Sequence, residues 1–84
     1  MEEIIILTIE GCPACDYIKK HSKNSKVKIL DVSKDDNAAL LAAQNNIFSV
    51  PTAIKKKSDN KIEKCDLDIS DKIIVKCKNQ EIEI

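Results

Sequence analysis

Residues 4–15 read Ile4-Ile5-Ile6-Leu7-Thr8-Ile9-Glu10-Gly11-Cys12-Pro13-Ala14-Cys15, and the change of character at Glu10–Gly11 decides how the chain folds. Ile4 to Ile9 is a short, β-branched, nearly unbroken apolar run, the pattern of a strand buried on both faces of a sheet. Pro13 then suits the first position of a helix, where its missing N–H costs nothing. A cysteine at the start of that helix faces unpaired backbone N–H groups and the positive end of the helix dipole. Both favour the thiolate, which is the nucleophile. Cys15 follows Cys12 by one turn, within reach to close a disulfide. The stretch predicts a redox-active dithiol between a strand and a helix.

Outward from there, residues 13–23 read as a helix, with Ala14, Cys15 and Ile18 on one side and Asp16, Lys19, Lys20 and Lys23 on the other; Asn24-Ser25 breaks it. Val27, Ile29 and Leu30 to Val32 read as a second strand. Ser33 is the expected cap of a second helix, with Asp36 as an imperfect capping box, a body at Ala38 to Ala43, and an end at Asn45-Asn46. Strand, helix, strand, helix at this spacing predicts a right-handed βαβ unit with a parallel sheet. Thr52 to Lys57, a polar turn at Ser58-Asp59-Asn60, and Lys61 to Cys65 predict a hairpin. The tail reads two ways. Ile69, Ile73, Ile74, Cys77 and Ile84 share a face at helical spacing, with Ser70 as a cap, but Lys72 to Cys77 and Glu81 to Ile84 also read as strands about an Asn79-Gln80 turn. A sheet needs both faces covered, so the expectation for residues 70–84 is a helix, with an extra hairpin as the alternative.

Composition narrows the function. Eighty-four residues make one domain, 1–84, with a 43% apolar share that is enough for a core. Charges balance at 14 and 14, and every cation is a lysine. A net charge of zero gives no steering field for nucleic acid, and with no arginine the usual bidentate reader of phosphate and guanine is missing. The expectation is no nucleic-acid partner. The acidic opening Met1-Glu2-Glu3 is unlike a signal peptide and no apolar run approaches a membrane span, so a cytoplasmic monomer is expected, with no membrane partner. In a reducing compartment, four cysteines are more often catalytic or metal-bound than structural disulfides.

The strand-CxxC-helix at Cys12 to Cys15, followed about 35 residues later by Val50-Pro51-Thr52 opening a strand, resembles the thioredoxin and glutaredoxin family of small redoxins. The resemblance covers roughly residues 3–67. It implies an α/β thioredoxin-like fold, with the βαβ unit and ββ hairpin in a four-stranded mixed sheet. It also implies that Cys12 is the nucleophile, that Cys15 resolves the mixed disulfide, and that Pro51 is cis beside the dithiol. The backbone of Val50 would pair with substrate, with Pro13 and Ala14 completing the contact surface. Gly11 stands where a thioredoxin has tryptophan, and Ala14 where a glutaredoxin has an aromatic. Ile9 and Glu10 stand where a glutaredoxin carries a lysine, and Glu63-Lys64 replaces its Gly-Gly, so no cofactor beyond the redox-active disulfide is expected.

The activity implied is thiol–disulfide oxidoreductase, reducing a disulfide-containing protein such as ribonucleotide reductase, with electrons from an upstream reductase or a small thiol. Two alternatives use the same cysteines: a glutathione-dependent glutaredoxin, and a metal or iron–sulfur carrier. Zinc at Cys12 and Cys15 would need two more ligands from Cys65, Cys77 and His21, whose spacings do not pair, so no metal site is expected. A third reading is an interaction module with a vestigial dithiol. Cys65 and Cys77 are expected as buried small apolar residues, with a regulatory disulfide as the alternative. His21 is expected as an exposed residue at a helix end, and Lys55-Lys56-Lys57 as a solvated sheet edge. Tyr17 and Phe48 are expected to pack near the dithiol. Helix dipole and capping N–H groups should lower the Cys12 pKa, with Glu10 and Asp16 opposing them.

Overall fold

The computed structural model describes residues 3–22, 26–47, 49–57, 61–78 and 80–84. The expected Asn24-Ser25 break, Lys23, Phe48, the Ser58-Asp59-Asn60 turn and Asn79 lie outside the described residues. Among the described residues, six strands and two helices follow one another as β1 (Glu3–Thr8), α1 (Pro13–His21), β2 (Val27–Asp31), α2 (Asp36–Gln44), β3 (Thr52–Lys56), β4 (Ile62–Ile69), β5 (Ile73–Cys77) and β6 (Gln80–Glu83). They form one sheet in the order β2-β1-β3-β4-β5-β6. Only β1 and β2 run parallel; the other neighbours are antiparallel.

β1 is the centre of the molecule. Ile4, Ile5, Ile6, Leu7 and Thr8 are all buried, so its two alternating sets of side chains feed two separate cores. Ile5 and Leu7 meet Ile54 and the α2 residues Ala38 and Ala42 on one face. Ile4 and Ile6 meet Ile18 of α1, Val27 and Ala53 on the other, where Ile73 and Val75 of β5 join them. Thr8 is fully buried at the strand end, and its hydroxyl donates to the Leu30 carbonyl at 3.0 Å. Each fully buried Ile or Leu contributes about 1.5–3 kcal/mol.

The expected four-stranded α/β thioredoxin-like fold with a C-terminal helix is overturned. The sheet has six strands among the described residues, the molecule is mostly β, and within residues 70–84, expected as helix, Ile73–Cys77 and Gln80–Glu83 form the antiparallel pair β5 and β6. The reason is coverage. α1 has nine residues, about 13 Å of helix, while five gaps between six strands span about 24 Å. The sheet closes that shortfall by curling into a half-barrel over the α1 face. Leu67 and Ile69 of β4, Ile73 and Val75 of β5, and Ile82 and Ile84 at the chain end all turn inward there.

β4 is where the curl is made. Its first half, Ile62–Cys65, pairs with β3, and its second half, Asp66–Ile69, pairs with β5. The strand is therefore longer than the expected Lys61 to Cys65, because it serves two partners in turn. Two smaller expectations also change. Asp35 rather than Ser33 caps α2, its carboxylate accepting from the Asn37 and Ala38 N–H groups, while Ser33 turns back onto Asp31. Lys55 is not on an edge: β3 lies between β1 and β4, and Lys55 is buried with its amine donating to Gln80 Oε1 at 3.1 Å. Among the described residues, no helix is long and apolar enough to cross a membrane.

Strand alternation in β5 sets a test. Ile73→Ala should cost about 2–4 kcal/mol in urea unfolding, because Ile73 is 2% exposed inside the half-barrel. Ile74→Ala, on the opposite, half-buried side, should cost clearly less. Equal losses at both positions would contradict the strand assignment.

Candidate functional site

β1 ends at Thr8, and the chain turns through Glu10 and Gly11 into α1. Gly11 has φ +85°, a left-handed conformation that side chains resist, which is why glycine stands at the turn. Cys12 is the N-cap of α1 and Pro13 its first residue. The Cys15 backbone N–H donates to Cys12 Sγ at 3.2 Å, so the sulfur does the work usually done by a serine or aspartate oxygen at this position. Cys12 is half-buried and Cys15 fully buried, and both are free thiols.

Their environments push them apart. The Cys12 thiol lies below its ordinary pKa chiefly because the Cys15 thiol can donate to its thiolate, and next because the Cys15 and Ala14 backbone N–H groups point at it. Burial and the Asp16 carboxylate work against this. Glu10, expected to oppose the thiolate as well, instead faces Lys34 at 3.8 Å on the open surface. Burial pushes the Cys15 thiol up to about 11, and its hydrogen bond to Cys12 adds to the rise. One thiol is shifted toward the thiolate and the other toward its proton-bearing form.

The other expected contact residues collect at the same end of the sheet. Leu7 pairs with Thr52 in the β1–β3 register, which sets Pro51 beside Thr8, four residues ahead of Cys12. The Val50–Pro51 peptide is cis, and both residues are half-buried. Pro13 is exposed and Ala14 half-buried beside Cys12. Val50 also packs into the α2-side core, which anchors this corner. Tyr17 packs into the α1-side core and stacks on the exposed His21, ring centroids 4.3 Å apart. A groove lined by Glu3, Ile5, Lys28, Leu30, Leu41 and Lys56 runs along the α2 face of the sheet, and neither Cys12 nor Cys15 lines it.

Cys65 and Cys77 are not the buried apolar free cysteines expected but the disulfide that was the alternative. It joins β4 to β5 where the ladder between those strands runs out at Asp66–Lys76. The signal was present in the numbering. A bend centred on Asp71, at Ser70-Asp71-Lys72, puts residues 65 and 77 opposite one another, but only once the tail is read as a hairpin. Among the described residues, one set of three ligating side chains comes together, Glu63, Cys65 and Cys77; neither Cys12 nor Cys15 belongs to it.

The split in thiol acidity can be measured by iodoacetamide alkylation of the reduced protein across pH, mapped by mass spectrometry. Cys12 should react with a transition below that of an ordinary thiol, and Cys15 should resist until strongly alkaline pH, near 11. Asp16→Asn should move the Cys12 transition further down, because the carboxylate opposes the thiolate. Equal reactivity of the two thiols would contradict this split in acidity. In comparisons with known proteins, the chain matches no family model, no curated protein and no solved structure.

Proposed function

We propose that the protein is a thiol–disulfide oxidoreductase acting through Cys12 and Cys15. The observation that carries this reading is the capped sulfur: Cys12 Sγ accepts the Cys15 N–H at 3.2 Å at the start of α1, with the buried Cys15 thiol behind it. The Cys12 thiolate attacks one sulfur of a substrate disulfide. That S–S bond breaks, a mixed disulfide forms at Cys12, and the leaving sulfur departs as a thiolate and takes a proton from solvent. Cys15 then loses its proton and attacks Cys12 Sγ. The second substrate sulfur leaves as a thiol, and the Cys12–Cys15 bridge holds the two-electron oxidation.

Cys15 gains its nucleophilicity late. Its high pKa in the free dithiol depends on burial and on the neighbouring Cys12, and a mixed disulfide removes the Cys12 charge that opposes its ionisation. Val50, Pro51, Pro13 and Ala14 are the proposed contact surface for a substrate segment. The substrate class is a disulfide-containing protein, and electrons return from an upstream reductase or a small thiol. A reducing compartment, the cytoplasm, suits this cycle because it keeps the Cys12 and Cys15 thiols available. Metal carriage at the same pair has less support, because no third ligating side chain gathers at Cys12 and Cys15 among the described residues.

The test is insulin-disulfide reduction with a dithiol as electron source. Cys12→Ser should abolish turnover while leaving the helix intact, since serine is itself a good N-cap. Cys15→Ser should accumulate a mixed disulfide with substrate, and Cys15→Ala should do the same without burying a hydroxyl. Full activity in Cys12→Ser would refute the proposal.

A further inference from the structure

The half-barrel carries a second cluster of thiol chemistry, separate from Cys12 and Cys15. Across the α1 face, the strand registers align Ile29, Ile6, Ala53, Cys65, Cys77 and Gln80 in one row. Glu63 precedes Cys65 by two residues on β4, so both side chains leave the same face of the strand. One carboxylate oxygen of Glu63 and the sulfurs of Cys65 and Cys77 lie within 4.8 Å of one another. We propose that, once its disulfide is reduced, the Glu63, Cys65 and Cys77 cluster is a binding site for a thiophilic divalent cation of the zinc class.

Four features support the assignment. The first is spacing. Cys65 and Cys77 have Cα atoms 4.4 Å apart, the close approach of a directly opposed antiparallel pair whose side chains point the same way. A tetrahedral zinc with Zn–S bonds of about 2.3 Å asks for sulfurs about 3.8 Å apart. Opposed Cβ atoms at about 4.5–5.5 Å allow that separation by side-chain rotation once the S–S bond is gone.

The second is the orientation of Glu63. Its Oε2 accepts the Lys78 backbone N–H at 3.0 Å, and its Oε1 meets Lys57 Nζ at 3.2 Å. Each oxygen keeps a lone pair, and the two contacts fix the carboxylate as outer hydrogen bonds fix a ligating carboxylate. The third is charge. Two thiolates and a carboxylate leave one net negative charge around a divalent ion. Lys57 faces that charge directly, and Lys55 stands opposite Glu63 in the β3–β4 register. The fourth is ligand type. Two soft sulfurs and one oxygen suit a d10 ion of borderline softness, and three protein ligands leave the fourth tetrahedral position to water.

The disulfide and the metal exclude one another. Reduction by a dithiol breaks the Cys65–Cys77 bond: the dithiol loses two electrons and two protons as it closes its own disulfide, and two thiols form here. Metal binding then displaces both thiol protons to solvent. The same corner of the sheet is thus tied covalently under oxidising conditions and by coordination under reducing ones.

The test uses the full chain carrying Cys12→Ser and Cys15→Ser, so that its outcome is independent of the oxidoreductase reading. The protein is reduced anaerobically with a phosphine and titrated with Co2+, then with Zn2+. The expected result is one Co2+ per chain with a thiolate charge-transfer band that Zn2+ abolishes. The band should be absent in Cys65→Ser and in the unreduced protein. Glu63→Gln, which still accepts the Lys78 N–H, should weaken binding at least tenfold. In the parent chain, Zn2+ should slow alkylation of Cys65 and Cys77, which needs no substitution in the core. Absence of the band after reduction, a band that survives Cys65→Ser, or a smaller than tenfold loss in Glu63→Gln would overturn the site.

Discussion

Everything in this fold answers to the burial of one strand on both sides. β1 places isoleucine and leucine side chains on both faces, so neither face of the sheet can be left to water. α2 covers one face with Ala38 and Ala42, whose small side chains let the helix lie close on Ile5 and Leu7. The other face receives a helix of only nine residues, and the remaining area is closed by the sheet itself. The curl, the partner change along β4 and the inward row from Leu67 to Ile84 follow from that single shortage of cover.

The thiol site inherits its geometry from the same strand. The end of β1 at Thr8 is clamped by a buried hydroxyl bonded to β2, so the Glu10–Gly11 turn starts from a fixed point. The turn delivers Cys12 to the N-terminal end of α1, at the end of the sheet where β3 begins with Thr52 opposite Leu7. Lys19, in the last turn of α1, holds Asp31 at the end of β2 at 3.3 Å, tying the helix to the sheet it leaves. Near the surface, such a pair adds little stability by itself. The Cys12 sulfur is thus placed by packing, with its acidity set by the neighbouring thiol and by backbone N–H groups.

What was legible in the sequence depended on how far the deciding partner lay from the residues being read. Ile4 to Ile9 announced a buried strand, which ends at Thr8 and leaves Ile9 exposed, and Gly11, Cys12 and Pro13 announced a helix start, because the relevant partners lie within a few residues. The cap of α2 was misread by two positions because Ser33 and Asp35 are both good caps, and only the turn through Asp31 decides between them. The tail was harder. Ile73, Ile74 and Val75 carry as much helical as strand periodicity, and the choice rests on whether the far side of the sheet is already covered. Lys55 was read as a solvated edge because nothing in three consecutive lysines tells which one faces Gln80, a residue three strands away. The cysteine pair shares the ambiguity of the tail: its disulfide is only an alternative in the sequence, since its register exists only in the hairpin.

The Cys65–Cys77 bond also changes the connectivity of the chain, closing residues 65 to 77 into a ring with two tails. The bend at Ser70, Asp71 and Lys72 lies inside that ring and is its one run of three consecutive exposed residues. A protease that cuts there makes two peptides but not two molecules. Cys77 keeps the carboxy-terminal piece, with all of β6, fastened to the rest. On a non-reducing gel such a nicked protein runs as one species, and the cut becomes visible only when thiol is added.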